Sequence, residues 1–162
     1  MKTIFNNLLD EKDLSFSEAS LLVENIFNSN ISNIQLSSIL TLLHKKKESF
    51  NEIHAFTNYL KKKCKKINLE GEFMDTCGTG GDNKGSFNFS TATSILLSTF
   101  NIKISKHGNR SITSKSGSFD VLESLGINTS SELSHIKKTL KTNSICFLFA
   151  PNFHGSLKQV AE

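Results

Sequence analysis

The length of 162 residues suits one domain of ordinary size, or a small domain joined to part of another. An apolar content of 37% is enough for a hydrophobic core and excludes a disordered or fibrous chain. The formal net charge of +4 comes largely from lysine runs at 45–47 and 61–66. Both runs close predicted helices, where cations complement the helix dipole, so they do not by themselves indicate nucleic acid.

The three cysteines, Cys64, Cys77 and Cys146, are widely spaced and odd in number. No CxxC pair or Cys/His ligand spacing is present, which excludes a disulfide framework or a zinc site. Acidic residues interrupt the first apolar run too early for a signal peptide, and no stretch is long enough to span a membrane. We therefore expect a cytoplasmic protein that does not bind membranes.

The first part of the chain is predicted to be helical, and three helix starts are marked by capping boxes. In each box a serine is followed three residues later by Glu or Gln. The pairs are Ser15 with Glu18, Ser32 with Gln35, and Ser49 with Glu52. These patterns predict a small helical bundle, assigned to a domain of residues 1–68, without chemistry of its own.

Residues 69–162 have the pattern of an α/β domain. Predicted strands cover 72–76, the alternating segment around Ile102 and Ile104, and the apolar run 144–151. Helices are predicted after Ser90 or Thr91, from Ser118 to a stop at Gly126, and from a capping box of Thr129 with Glu132 to about Thr142. The fold class is thus α/β: a helical bundle followed by the first, incomplete part of a mostly parallel sheet flanked by helices.

Glycines are concentrated in the segment "MDTCGTGGDNKGSFNFS", between a predicted strand and a predicted helix. A Walker loop is excluded because Ser86 follows Gly85 directly, with no lysine between them. The dinucleotide fingerprint fails because Asn83 stands in the position of its third glycine. The segment remains either an anion-binding loop at a helix start or a structural turn.

A second polar segment, "SKHGNRSITSKSGS" at 105–118, follows the next predicted strand. It combines Lys106, His107 and Arg110 with several hydroxyl groups. Cations together with short donors are typical of a loop that wraps a phosphorylated ligand. Because the carboxyl ends of parallel strands meet at one edge of a sheet, both segments are expected to face one pocket.

At these segments the chain resembles the anthranilate phosphoribosyltransferases, which belong to the nucleoside-phosphorylase-like glycosyltransferase class. The resemblance is carried by "DTCGTGGD" at 75–82, "NFSTA" at 88–92, "KHGNRSITSKSGSFDVLESLGI" at 106–127 and "FLFAPNFH" at 147–154. It implies transfer of the phosphoribosyl group of phosphoribosyl pyrophosphate (PRPP) to anthranilate in tryptophan biosynthesis, with Mg²⁺. It also implies a homodimer formed through the helical domain, or a complementing carboxyl-terminal chain.

The resemblance assigns no catalytic side chain, because the amine of anthranilate is itself the nucleophile. It implies that Gly78 and Asn109 contact anthranilate and that the Ser90 hydroxyl binds Mg²⁺. The residues implied for PRPP are Gly78, Gly81, Asp82, Ser86, Asn88, Phe89, Ser90, Thr91, Lys106, His107, Gly108, Asn109, Arg110, Ser111, Ile112, Thr113, Ser114 and Ser118.

The chain departs from the family pattern in its carboxyl-terminal part. Family members carry an Asp-Glu pair for magnesium farther along, whereas the only such pair here is Asp10 with Glu11, in the helical region. Gly155 stands where the family has proline, and the sequence stops at about half the family length. We therefore expect a fragment, a split enzyme or the product of a decaying gene, whose activity requires the missing half.

Two other functions are compatible with the residues. A non-catalytic relative could bind nucleic acid through the lysine runs, but no aromatic platform is interleaved with them. A pyrimidine nucleoside phosphorylase would share the architecture, but the intact "KHGNR" with Asn109 argues against that acceptor.

Overall fold

A computed structural model describes residues 1–78, 87–111 and 117–160. The chain divides into two compact units, one of residues 1–64 with 154–162 and the other of residues 65–153. The predicted boundary after residue 68 remains a prediction. No helix in these described ranges is both long enough and apolar enough to cross a membrane.

The first unit is helical, as its capping boxes predict. Its elements are α1 (Lys2–Leu9), α2 (Phe16–Phe27), α3 (Asn33–Lys46), α4 (Phe50–Lys63) and a 3₁₀ helix (Gly155–Val160). All three predicted capping boxes are formed at the starts of α2, α3 and α4. The serine side chain accepts a hydrogen bond from a backbone N–H that the first helical turn would otherwise leave unpaired.

The core of this unit comes from one apolar face of each helix. Its buried side chains include Leu8, Leu14, Leu22, Ile39 and Ala55. The Glu52 carboxylate is enclosed with them: the residue is 1% exposed and accepts hydrogen bonds from the Leu14 backbone N–H at 3.0 Å and Lys46 Nζ at 2.9 Å.

The second unit contains a parallel strand pair flanked by helices. Its elements are α5 (Phe89–Thr99), β1 (Ile104–Gly108), α6 (Ser118–Ser124), α7 (Leu133–Asn143), β2 (Ile145–Phe149) and α8 (Ala150–Phe153). Strand β1 pairs with β2 in register Ile104 to Ile145, and Met74 forms a parallel bridge to the other edge of β1. This confirms the predicted α/β class with parallel strands.

Several predicted element limits need correction. The segment 72–76 forms only the bridge at Met74, instead of a full strand. Helix α5 begins at Phe89, with Asn88 rather than Ser90 or Thr91 in the N-cap position. Helix α7 begins at Leu133 with Glu132 as its cap, so the predicted capping box of Thr129 is not formed. Neither N-cap side chain makes a capping hydrogen bond, so the capping chemistry behind the prediction does not set these helix starts.

The core of the second unit lies on both sides of β1. Buried side chains there include Ile104, Phe119, Leu122, Ile136 and Cys146. Gly126 adopts φ +70° two residues after the end of α6, so it stops that helix as predicted. Apolar side chains of α5 remain outside the core: Leu96 is 59% exposed and Phe89 67%.

Candidate functional site

A buried lysine lies at the centre of the candidate site. Lys106 belongs to β1, and its whole residue is 1% exposed. Its Nζ lies 3.4 Å from the Ser90 Oγ, a long hydrogen bond. No carboxylate in the described ranges forms an ion pair with this ammonium group. Burial lowers the pKa of Lys106, while the nearby Asp75 carboxylate and the Cys77 sulfur act in the opposite direction.

The first turn of α5 is fixed by hydroxyl groups on its inner side. Thr76 Oγ1 donates to the Ser90 carbonyl at 2.6 Å and lies 2.6 Å from the Ser94 Oγ. Ser94, which is fully buried, also contacts the Ser90 carbonyl at 3.0 Å. These contacts tie the extended segment before the glycines to the start of α5, where Ser90 faces Lys106.

Thr91, the neighbour of Ser90, carries a second unusual polar group. The residue is 1% exposed, and its Oγ1 is buried without a hydrogen-bond partner among the described residues. Buried hydroxyl groups are almost always paired, so an orphan here requires an explanation. The backbone N–H of Thr91 donates to the Asn88 carbonyl at 3.1 Å, so the unpaired group is the hydroxyl alone.

Asp75 and His107 form a hydrogen-bonded pair on the adjoining surface. The Asp75 Oδ2 contacts the His107 Nδ1, and the two side chains are 33% and 52% exposed. The sheet register explains the meeting. Met74 pairs with Ile104 in the sheet. Because side chains alternate between the two faces of a sheet, Asp75, one residue after Met74, and His107, three residues after Ile104, lie on the same face.

The loop after β1 is closed at its base by one carboxylate. Asp120 Oδ2 accepts from the Ser111 N–H at 3.0 Å and the Gly117 N–H at 2.6 Å. These two bonds lower the pKa of Asp120. A Cβ added at Gly117 would lie 2.3 Å from the Ser111 nitrogen, so only glycine permits this approach. The loop therefore leaves and re-enters the fold at nearly one point.

The cations and glycines of this loop lie in different environments. Arg110 forms an ion pair with Glu123, and its guanidinium lies 5.3 Å from the centre of the Phe149 ring. Gly108 packs closely, because a Cβ there would lie 3.1 Å from the Ser118 Cβ. Asn109 Oδ1 accepts from the Arg110 N–H at 2.8 Å.

The structure does not gather the predicted site residues into one cluster. Ser90, Thr91 and Lys106 are brought together at the start of α5. Gly108 meets Ser118 at the base of the loop, and His107 turns to Asp75 instead. Gly78, Asn88 and Phe89 flank the glycine segment, and the exposed Phe89 ring stacks edge-on against Phe87 at 5.5 Å. Six predicted residues lie outside the described ranges: Gly81, Asp82, Ser86, Ile112, Thr113 and Ser114.

Four residues of this arrangement are absent from the sequence prediction: Asp75, Thr76, Ser94 and Asp120. Asp75 and Thr76 lie inside the quoted "DTCGTGGD" segment, so the pairing of this segment with the next strand could have indicated them. Ser94 lies one helical turn after Ser90, which places both on one face of a helix. Asp120 is three residues after Gly117, the spacing at which a carboxylate reaches back to the N-cap N–H.

A separate cavity lies beside α7 and β2. Its volume is about 50 Å³, and it is lined by residues such as His135, Thr139 and Phe147. None of its lining residues belongs to the Lys106 cluster or to the loop after β1. The charged and hydroxyl groups therefore mark the candidate site better than the cavity does.

Comparison with known proteins defines the class. The model of the glycosyl transferase family helical bundle domain matches residues 2–64, and that of the family's a/b domain matches residues 70–162. The chain belongs to this glycosyl transferase family.

The relatives narrow the class to the group that the sequence resembles. The anthranilate phosphoribosyltransferase of Petrotoga mobilis is 48% identical over 93% of this chain and 44% of its own length. That of Pelagibacter ubique is 41% identical over 99% of the chain and 48% of its own length. The resemblance is confirmed, and the chain spans about half the length of these curated relatives.

Solved structures of the same enzyme share the fold. The anthranilate phosphoribosyltransferase of Thermus thermophilus matches 98% of this chain and 48% of its own, with a TM-score of 0.82 and 26% identity. The enzyme of Saccharomyces cerevisiae in complex with PRPP and Mg matches the same shares, with a TM-score of 0.82 and 27% identity.

Proposed function

We propose that this chain is the PRPP-binding part of an anthranilate phosphoribosyltransferase. The observation that carries the proposal is the buried ammonium of Lys106, which faces the first turn of α5 without a described carboxylate in contact. A buried cation is costly unless a negative group accompanies it. A diphosphate placed beside this lysine at the positive end of the α5 dipole would supply that charge.

The chemistry of the transfer fits this environment. The bond from ribose C1 to the diphosphate oxygen breaks, and its electrons stay on the leaving diphosphate. The anthranilate amine forms the new bond to C1 and then loses a proton. Lys106 and the α5 amides would stabilise the charge that develops on the leaving oxygen. Catalysis would rest on positioning and electrostatics.

No protein nucleophile is needed, and Cys77 is unsuited to that role. Burial raises the pKa of its thiol, the Asp75 charge raises it further, and Lys106 only partly opposes them. The thiolate, not the thiol, is the reactive form. Cys77 therefore remains protonated near neutral pH.

The described residues offer limited ligation for Mg²⁺. In the ranges that the structure covers, no three acidic, histidine or cysteine side chains form a metal cluster. The Ser90 hydroxyl is a hard oxygen donor at the start of α5, which fits one coordination position. Mg²⁺ typically completes its octahedron with phosphate oxygens and water, so binding together with PRPP is the arrangement we propose. When bound, the ion would neutralise diphosphate charge.

The remaining assignments are proposals on the same basis. We propose that Gly78 and Asn109 face the anthranilate side and that the loop after β1 contacts PRPP. Because the relatives are about twice as long, turnover is expected to need a carboxyl-terminal half like theirs, in the same chain or in a second one. A homodimer through the helical unit is proposed from its exposed apolar side chains, such as Phe16 and Leu40. The free cysteines agree with a reducing cytoplasm.

The nucleic-acid alternative is less well supported. In the first lysine run, Lys45 pairs with Glu11 at 2.7 Å, and Lys46 is 3% exposed between Asp13 and Glu52. These two lysines are already neutralised, so the run does not form a free basic stripe.

A calorimetric titration of the chain with PRPP, with and without Mg²⁺, tests the proposal. Ribose 5-phosphate and ATP are the controls, since the first lacks the diphosphate and the second has a different sugar linkage. We expect PRPP to bind more tightly than either, and more tightly still with Mg²⁺. Equal affinity for all three ligands, or no heat with PRPP, would remove the basis of the assignment.

A further inference from the structure

We propose that Asp75 positions His107 so that the His107 Nε2 is held as the proton acceptor for the amine nucleophile. The inference rests on the proposed transfer and adds a role that the sequence did not assign to either residue. Asp75 is the positioning residue, and His107 is the group that would touch the substrate amine.

The first step is the direction of the Asp75–His107 hydrogen bond. An ionised carboxylate can only accept, so the His107 Nδ1 must carry the hydrogen. In a neutral imidazole the other nitrogen, Nε2, then presents a lone pair. The carboxylate therefore selects one tautomer and fixes the plane of the ring.

The second step is the location of this pair. His107 follows Lys106 in β1, so its side chain points to the opposite face of the strand, where it is 52% exposed and accessible to a ligand. The Asp75 carboxylate also acts on the Lys106 ammonium, opposing the effect of burial on the pKa of that lysine. One carboxylate thus influences both the proposed diphosphate-binding cation and the adjacent imidazole.

The transfer requires an acceptor for the proton that the amine releases. When the amine nitrogen bonds to ribose C1, it becomes cationic and must release one proton. The electron pair of the N–H bond returns to nitrogen, and the proton passes to the His107 Nε2. The resulting imidazolium, stabilised by Asp75, returns the proton to water. The lone pair fixed by Asp75 is the property that this step requires.

Long-range ¹H–¹⁵N NMR of the full chain at about pH 8.5, where imidazoles are normally neutral, reads the tautomer directly. We expect His107 to carry hydrogen on Nδ1 only, and we expect Asp75→Asn and Asp75→Ala to lose this preference. Glu72→Ala, an exposed change three residues earlier, is the matched control and should leave it intact. The other histidines report whether the fold is preserved. Hydrogen on Nε2 of His107 in the unaltered chain overturns the inference.

Addition of anthranilate after saturation with PRPP and Mg²⁺ tests the role. The ¹⁵N resonance of the His107 Nε2 should shift more than that of Nδ1, and the shift should be lost in Asp75→Asn. If PRPP binds but anthranilate leaves Nε2 unmoved, the inference fails while the proposed function stands. If PRPP itself does not bind, the proposed function fails, and the role given to this pair fails with it.

Discussion

The amino group of Lys106 lies 3.4 Å from the hydroxyl oxygen of Ser90, and this contact joins β1 to the first turn of α5. Ser90 lies in "NFSTA" and Lys106 in "KHGNR", two separate segments of the sequence that the fold brings together. Thr76 and Ser94 hold the helix turn from its inner side. This junction is the centre of the candidate site.

Lys106→Met should raise the free energy of unfolding at neutral pH in the absence of ligand. The substitution removes a buried cation that no described carboxylate pairs, while keeping the apolar length of the side chain. The stability gained by the variant depends on pH. Burial lowers the pKa of Lys106 in the folded chain, so the free-energy cost of burying its charge is fully present below that pKa.

Between the folded pKa of Lys106 and its unfolded value of about 10.4, the unfolded chain binds more protons and the unaltered protein gains stability as pH rises. The difference between variant and unaltered chain should therefore shrink over this window. Urea unfolding at several pH values measures it. A difference that stays constant, or grows, with rising pH would contradict the burial of a charged lysine.

Thr76→Val should weaken PRPP binding with little effect on the global fold. Valine keeps the shape but removes the hydroxyl that donates to the Ser90 carbonyl at 2.6 Å, a loss of about 1 kcal/mol. Thr99→Val, at the other end of α5, removes a comparable bond to the Leu96 carbonyl at 2.7 Å and is the control. Calorimetry should separate the two variants. Equal PRPP affinities in both would show that the helix turn does not need Thr76.

Gly117→Ala should destabilise the second unit by about 1–3 kcal/mol, the usual range for overpacking. The added Cβ would lie 2.3 Å from the Ser111 nitrogen, and the backbone must move to relieve the clash. Gly155→Ala is the matched control because nothing lies within 4 Å of its new methyl group. Chemical denaturation of both variants measures the difference. Similar midpoints would mean that the loop base is looser than its geometry indicates.

Glu52→Gln should destabilise the helical unit by roughly 3 kcal/mol, because it removes the buried charge partner of Lys46 and leaves only the exposed Asp13. Burial favours the neutral acid, yet Lys46 and the N–H groups of Ser49 and Leu14 outweigh it and lower the pKa of Glu52. Its stabilisation is therefore present above the unfolded pKa of about 4.3 and is lost as pH falls through the folded pKa.

The exposed Glu48 provides the control for this prediction, since Glu48→Gln changes the same charge outside the core. Acid titrations followed by circular dichroism should show that the unaltered chain loses helix as pH falls through the folded pKa of Glu52. The helix content of Glu52→Gln should depend less on pH over the same range. An identical acid response in all three proteins would exclude the buried pair as the cause.

Local patterns predict much of this fold, because capping boxes and apolar periodicity act within a few residues. The boxes at Ser15, Ser32 and Ser49 are all formed, and the apolar run around Cys146 is a parallel strand. The start of α7 differs from the predicted one, because its N-cap residue is Glu132, whose side chain makes no capping hydrogen bond. A helix start without a side-chain cap has no local signal in a short stretch of sequence.

The site was predictable only where its residues lie in recognisable segments. Lys106 and Ser90 could be named from "KHGNR" and "NFSTA", but their mutual distance could not. Asp75 was not predicted because its contact with His107 depends on the register between the Met74 bridge and β1. Asp120 was not predicted because it accepts hydrogen bonds from backbone N–H groups at the two ends of the loop after β1.

The most direct test compares PRPP binding by Lys106→Met with binding by Lys103→Met. Both changes remove one positive charge near the same strand, but Lys103 is exposed and Lys106 is buried. Isothermal calorimetry with Mg²⁺ at fixed ionic strength should show affinity lost in Lys106→Met and nearly unchanged in Lys103→Met. Equal retention of PRPP affinity by both variants would contradict the claim that the buried ammonium binds the diphosphate.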